Sequence, residues 1–372
     1  MHARLFVLIL LLAGEAAIAA PFAYVPQDNP GVMSVIDLAT HSIVATIPLP
    51  SVTHQGVAVN SAGTRAYATN VEPNNIPGSV SVIDTSTNTA IATIPVGIWP
   101  YGVAVNPSGT RVFVTNHLFE GISVIDATTN GVITTIPLEG EPWGIVVNPA
   151  GTQVWVANSL SFSVWIIDAV TNTVAGSVPL GEVTRAIAMN PAGTRVYTSI
   201  GKPIRVIDTS SRTVVASIPV PQRSVALAVN PSGTRVYAAD DIANVVVVID
   251  AVSNSVITTV PVGNAPMGIA VDPSGTKILA ANYLSKSVSV IDAATNTVTA
   301  TIALPGAPSA AGLFIGPAPA APVPVTNQPI PSSSVSALVA LAFLLASAGA
   351  AAIRASRGKA MQKERSWDCA AT

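Results

Sequence analysis

One phrase recurs seven times along the chain and ends each time in Ile-Asp: Val35-Ile36-Asp37, Val82-Ile83-Asp84, Val124-Ile125-Asp126, Ile166-Ile167-Asp168, Val206-Ile207-Asp208, Val248-Ile249-Asp250 and Val290-Ile291-Asp292. Successive aspartates are 47, 42, 42, 40, 42 and 42 residues apart. A period of about 40 residues carried by short β-rich pieces is the mark of a propeller blade. The repeats span residues 20–317, which read as one closed domain. Apolar residues make up 49% of the chain and charged residues 10%, a composition suited to thin, closely stacked sheets.

Each unit holds four strand-like pieces. In the second unit, Gly102 to Asn106 is apolar throughout and suits an innermost strand A. Asn106-Pro107-Ser108-Gly109 then has the residues of a type I turn. Arg111 to Thr115 is strand B, Ile122 to Asp126 strand C and Val132 to Leu138 the outer strand D. Between C and D, Asp126 to Gly131 predicts a tight hairpin in which Asp and Asn side chains bond nearby backbone. Strand A candidates start at Gly56, Gly102, Gly144, Ala186, Ala226, Gly268 and Gly312, and strand B candidates at Ala23, Arg65, Arg111, Gln153, Arg195, Arg235 and Lys277. The chain thus enters on a B strand and leaves on an A strand. Gly312 to Gly316 is therefore expected to complete the blade begun by Ala23 to Pro26, Met33 to Asp37 and Ser42 to Pro48. The expected fold is all-β, a seven-bladed propeller of four-stranded antiparallel blades with a three-plus-one closure that removes free sheet edges.

Strand B carries Tyr67-Ala68-Thr69-Asn70, Phe113-Val114-Thr115-Asn116 and Trp155-Val156-Ala157-Asn158. With the Val-x-Val-Ile-Asp and Thr-Asn-Thr-Val pieces around it, this tetrapeptide resembles that of the YVTN β-propeller repeat proteins, over roughly 80% of the chain. The resemblance implies a seven-bladed propeller on a bacterial or archaeal cell surface, without a defined reaction.

The ends read as export and anchoring devices. His2 and Arg4 precede the apolar run Leu5 to Ala13, and Ala17-Ile18-Ala19 offers a cleavage site, so residues 1–19 read as a signal peptide. Residues 318–334 are a Pro/Ala/Ser-rich linker. Val335 to Ile353 is uncharged, long enough to span about 28 Å as a helix. Arg354, Arg357, Lys359, Lys363 and Arg365 follow, so 354–372 reads as a basic cytoplasmic tail behind a transmembrane helix. Ile330-Pro331-Ser332-Ser333, the apolar span and the arginines resemble an IPTL-CTERM sorting signal, with Val335-Ser336 where that signal has Glu-Trp. That resemblance implies processing by an exosortase-type enzyme. The sole cysteine, Cys369, leaves stability to ring closure.

Between residues 21 and 320 stand 11 Lys/Arg and 16 Asp/Glu, which argues against a nucleic-acid surface. His41, His54 and His117 lie on separate blades with no cysteine nearby, so neither a metal nor a cofactor is expected. The seven aspartates recur in every unit and read as hairpin caps.

Function in a propeller is expected where the repeats differ, at the mouth formed by the D-to-A and B-to-C loops. The residue before strand A is Gln55, Tyr101, Trp143, Arg185, Val225, Met267 and Ala311 in turn. Trp99, Tyr101, Trp143 and Arg185 make a candidate ligand-binding patch, aromatic faces for a sugar or other planar group and a cation for an anion. Plain plugging of the channel is the competing reading. His117 and Glu120, in the adjacent B-to-C loop, are candidates for a base and its orienting carboxylate. The expected function is a non-enzymatic binding module for a protein or glycan at the cell envelope. A lactonase-like hydrolase or lyase using His117, Glu120 and Arg185, and a structural coat protein, are the alternatives.

Overall fold

Val, Ile and Thr at alternating positions give each unit strands whose two faces pack on neighbouring sheets. The computed structural model describes residues 21–316 except 52, 119, 120, 200, 310, 311 and 313. In the second blade the strands are Pro100–Val105, Arg111–Asn116, Gly121–Asp126 and Gly131–Ile136, each antiparallel to the next. Five more blades repeat this order, at 53–98, 142–179, 186–218, 224–261 and 266–303.

The seventh blade closes the ring. Phe22–Asp28, Val32–Asp37 and Ser42–Pro48 come from its start. Ala307–Pro308 and Ile315–Gly316 both pair with Phe22–Asp28, at opposite ends of that strand. Closure is thus three strands plus one, but the last strand starts earlier than Gly312 and is split. Gly312 sits at φ +113°, with the Val57 carbonyl 2.6 Å from where a β-carbon would be, and this left-handed turn cannot continue a strand. The split pieces remain tied, since Tyr24 donates its N–H to Phe314 and Ser309 donates its own to Pro26.

The core lies between blades. Tyr24, Tyr67, Phe113, Trp155, Tyr197 and Tyr237 hold the third position of their B strands, each at most 1% exposed, and Leu279 takes the same place in the sixth blade. The buried Tyr24 hydroxyl is pushed up to about 12 by desolvation. Every C-to-D pair has a register shift just before its Ile-Asp. Such bulges twist the exposed outer strands away from edge-to-edge pairing.

The seven aspartates cap their hairpins. Asp126 Oδ1 accepts the N–H groups of Thr128 and Thr129, both at 2.8 Å, and the other six make the same pair of bonds. The Ser86 hydroxyl, with Arg65, holds the Asp84 carboxyl down at about 2, and the Ser211 N–H leads in holding Asp208 there. Among the described residues no helix is long and apolar enough to cross a membrane. The expected signal peptide, linker, membrane span and tail lie outside the described residues.

Candidate functional site

The mouth is built by a departure from regular pairing. Strand A was expected to begin at Gly56 and its counterparts, but most A strands begin earlier, at Thr53, Pro100, Pro142, Ser224 and Pro266. Their pairing jumps, from Pro100↔Asn116 to Val103↔Val114 for example. Gln55, Tyr101, Trp143, Val225 and Met267 all lie within these irregular steps. They sit inside strand A, at a bulge, rather than ahead of it. A bulge frees a side chain from the alternation and re-aims it.

Repeated residues fasten these variable ones. Thr115 Oγ1 accepts the Gly102 N–H at 2.8 Å and donates to the Trp143 carbonyl at 2.6 Å. One blade back, Thr69 makes the same bonds to Gly56 and Tyr101. A β-carbon on Gly102 would stand 2.5 Å from the Trp143 oxygen, and one on Gly144 2.5 Å from the Arg185 oxygen. The Thr of strand B and the Gly after the bulge therefore set how closely successive inner strands approach.

The side chains leave an opening rather than a seal. A cavity of about 250 Å³ is lined, in blade order, by Gln55, Trp99, Tyr101 and Trp143, then by Arg185, Arg223, Val225 and Met267. The Arg185 guanidinium lies 4.0 Å over the Trp143 ring, and the Tyr101 ring meets Trp143 edge-on at 4.4 Å. Trp143 Nε1 donates to Ser159 Oγ at 3.0 Å, which donates to Glu141 at 2.9 Å. Trp99 is 40% exposed and held at φ +53°, a left-handed conformation that costs a bulky residue free energy. Its carbonyl accepts the His117 N–H at 3.0 Å.

All four predicted binding residues, Trp99, Tyr101, Trp143 and Arg185, thus line one cavity. His117 does not line it but packs at 4.2 Å on Trp143 and 6.2 Å from Trp99. Only 8% exposed, its Nδ1 has no hydrogen-bond partner. Burial pushes its imidazole below the usual value; Arg185 acts the same way and Glu141 opposes. Glu120 lies outside the described residues. Sequence reasoning missed Arg223, which pairs with Asp241. Its signal was an offset: it precedes Val225 by two residues, as Trp99 precedes Tyr101. Asp240 is fully buried and accepts N–H groups from Gln222, Ile242 and Ala243, a loop-fastening role.

Two larger grooves, each about 560 Å³, lie at the seam of the fifth and sixth blades and at the seam of the first and second. Their linings carry no charged side chain, and their recurrence marks them as products of blade geometry. Among the described residues, no group of three or more His, Cys, Asp or Glu is placed to hold a metal ion.

The fold and mouth define a seven-bladed β-propeller with an asymmetric central cavity. Similar solved structures include Kuenenia stuttgartiensis hydrazine synthase, at TM-score 0.65 and 20% identity, covering 77% of this chain and 99% of that one. A functionally unknown protein from Desulfotomaculum acetoxidans is similar at TM-score 0.69 and 16% identity, covering 80% and 99%. Dihydro-heme d1 dehydrogenase NirN is similar at TM-score 0.59 and 13% identity, covering 80% and 75%. At these identities the likeness is one of fold. No protein-family model matches the chain, and no curated protein matches it.

Proposed function

We propose that this chain is an exported propeller of the YVTN-repeat type, held at the cell envelope by its C-terminal apolar segment, that binds a protein or glycan through its mouth without catalysis. One observation carries the reading: the cavity of about 250 Å³ is lined by the residues at which the blades differ. Its aromatic and guanidinium lining suits recognition of a ring with polar substituents. Trp99, 40% exposed, leaves its ring open on this cavity, which packing alone does not call for. Processing of residues 330–372 by an exosortase-type enzyme belongs to the same proposal.

The test is a screen of glycans and small molecules against the full chain, repeated with Trp143→Ala and Arg185→Ala. Binding lost in both variants supports the mouth, and binding unaltered in both places the site elsewhere. The mass of the protein recovered from the envelope fraction tests export and C-terminal processing.

A hydrolase or lyase is the second reading, favoured by His117. Burial pushes its imidazole toward the neutral form, and Nδ1 stands unpartnered beside Trp143, as a base must before it takes a proton. Turnover of a lactone or glycan that His117→Gln abolishes would establish it.

A further inference from the structure

The two arginines of the cavity differ in how their charge is met. Arg223 forms a two-point ion pair with Asp241. The Arg185 side chain makes no hydrogen bond or ion pair with any described residue, and its buried Nε is without a partner. A buried guanidinium N–H left unmade is costly, and such groups are satisfied by water or by a ligand. No carboxylate lines the cavity, although the propeller as a whole has more acidic than basic residues. Asp241 is engaged with Arg223, and Glu141 accepts from Ser159.

The tryptophans differ too. Trp143 is hemmed in by Arg185 at 4.0 Å, His117 at 4.2 Å and Tyr101 at 4.4 Å. Trp99 has one ring neighbour, His117 at 6.2 Å, and is 40% exposed on the same cavity. Trp143 is thus the backing that holds Arg185 in place, and Trp99 the open platform.

Resting on the mouth as the binding site, we infer that it takes an anionic sugar ring, its acid group on Arg185 and its face on Trp99. The planar guanidinium matches a carboxylate or phosphate at two points. Gln55 and Arg223 supply groups suited to ring hydroxyls, which a purely aromatic acid would leave unpaired. The cavity, about 250 Å³, is below the roughly 300–1,000 Å³ of drug-sized sites and suits one ring rather than a chain.

Calorimetric titration of the full chain with glucuronate, glucose 6-phosphate, glucose and benzoate tests the inference. Either anionic sugar, the one bound more tightly identifying the acid group, is expected to bind about tenfold tighter than glucose, the scale of a charged hydrogen bond. High salt should erase that advantage in the unaltered chain. Arg185→Gln should erase it as well, while Trp99→Ala should weaken all three sugars. Equal affinity for glucose and both anions, lost in Trp99→Ala, overturns the anion preference and leaves the mouth as the binding site. Benzoate binding tighter than both anionic sugars overturns the sugar. Sugar binding that survives both Trp99→Ala and Trp143→Ala, or no binding of any probe, overturns the inference; survival in both removes the mouth reading as well.

Discussion

The two faces of this propeller are made by the same strands and differ in what their loops repeat. On one face, every C-to-D hairpin closes on an aspartate taking two backbone N–H groups. Its left-handed residue is Asn at positions 88, 130, 172, 254 and 296. On the other face, the bulged position changes from Gln55 to Tyr101, Trp143, Val225 and Met267, while the fastening Thr and Gly are shared by the first two blades, as Thr69 with Gly56 and Thr115 with Gly102. Backbone polar groups must be satisfied in every blade, so the residues that do so repeat. The side chains freed by the bulge make no such bonds and can differ without disturbing closure.

Substitutions can break this comparison, and the largest effect is expected within the third blade. Trp155 is fully buried between blades, and Trp155→Ala should lower stability by about 3–5 kcal/mol in urea unfolding. Trp143→Ala, twelve positions earlier at the mouth, should cost less than half as much. A reversed order would place the structural load at the mouth.

Next comes Thr115→Val. It strands the Gly102 N–H and the Trp143 carbonyl, with an expected loss of about 1–3 kcal/mol. Because that carbonyl belongs to the mouth, ligand affinity should fall with stability.

A smaller effect tests His117 through pH. Its folded-state value is lowered, so the unfolded chain binds more protons as pH drops below the ordinary value of about 6.5. Stability should therefore decline from about pH 7 to about pH 5, and His117→Phe should flatten that stretch of the unfolding profile. A profile that Phe leaves unchanged would mean that the imidazole is free to charge.

The smallest effect falls on the repeated face. Asp84 is depressed from 3.8 to about 2, so its contribution is present above 3.8 and lost as pH falls through about 2. Asp84→Ala should remove that acid sensitivity from thermal unfolding and leave ligand affinity untouched.

Much of the fold was legible because each recurring residue has a local job. Asp126 caps, Asn106 turns and Phe113 fills the space between sheets, and each does so within a few residues of its own strand. The bulges were not legible, since strand alternation shows which face a residue takes but not where an extra residue enters. Nor was the division between Trp99 and Trp143. It depends on Arg185 crossing from the next blade onto Trp143, a contact 42 positions apart in the chain. The early break at Gly312 meets Val57, 255 positions away in the chain.

The central claim is that binding belongs to the face where the blades differ. Affinity of the full chain for glucuronate, measured side by side in Trp99→Ala and in Asp126→Ala on the opposite face, addresses it most directly. The account predicts loss in the first and unchanged affinity in the second. Equal affinities in both variants, or loss confined to Asp126→Ala, would contradict it.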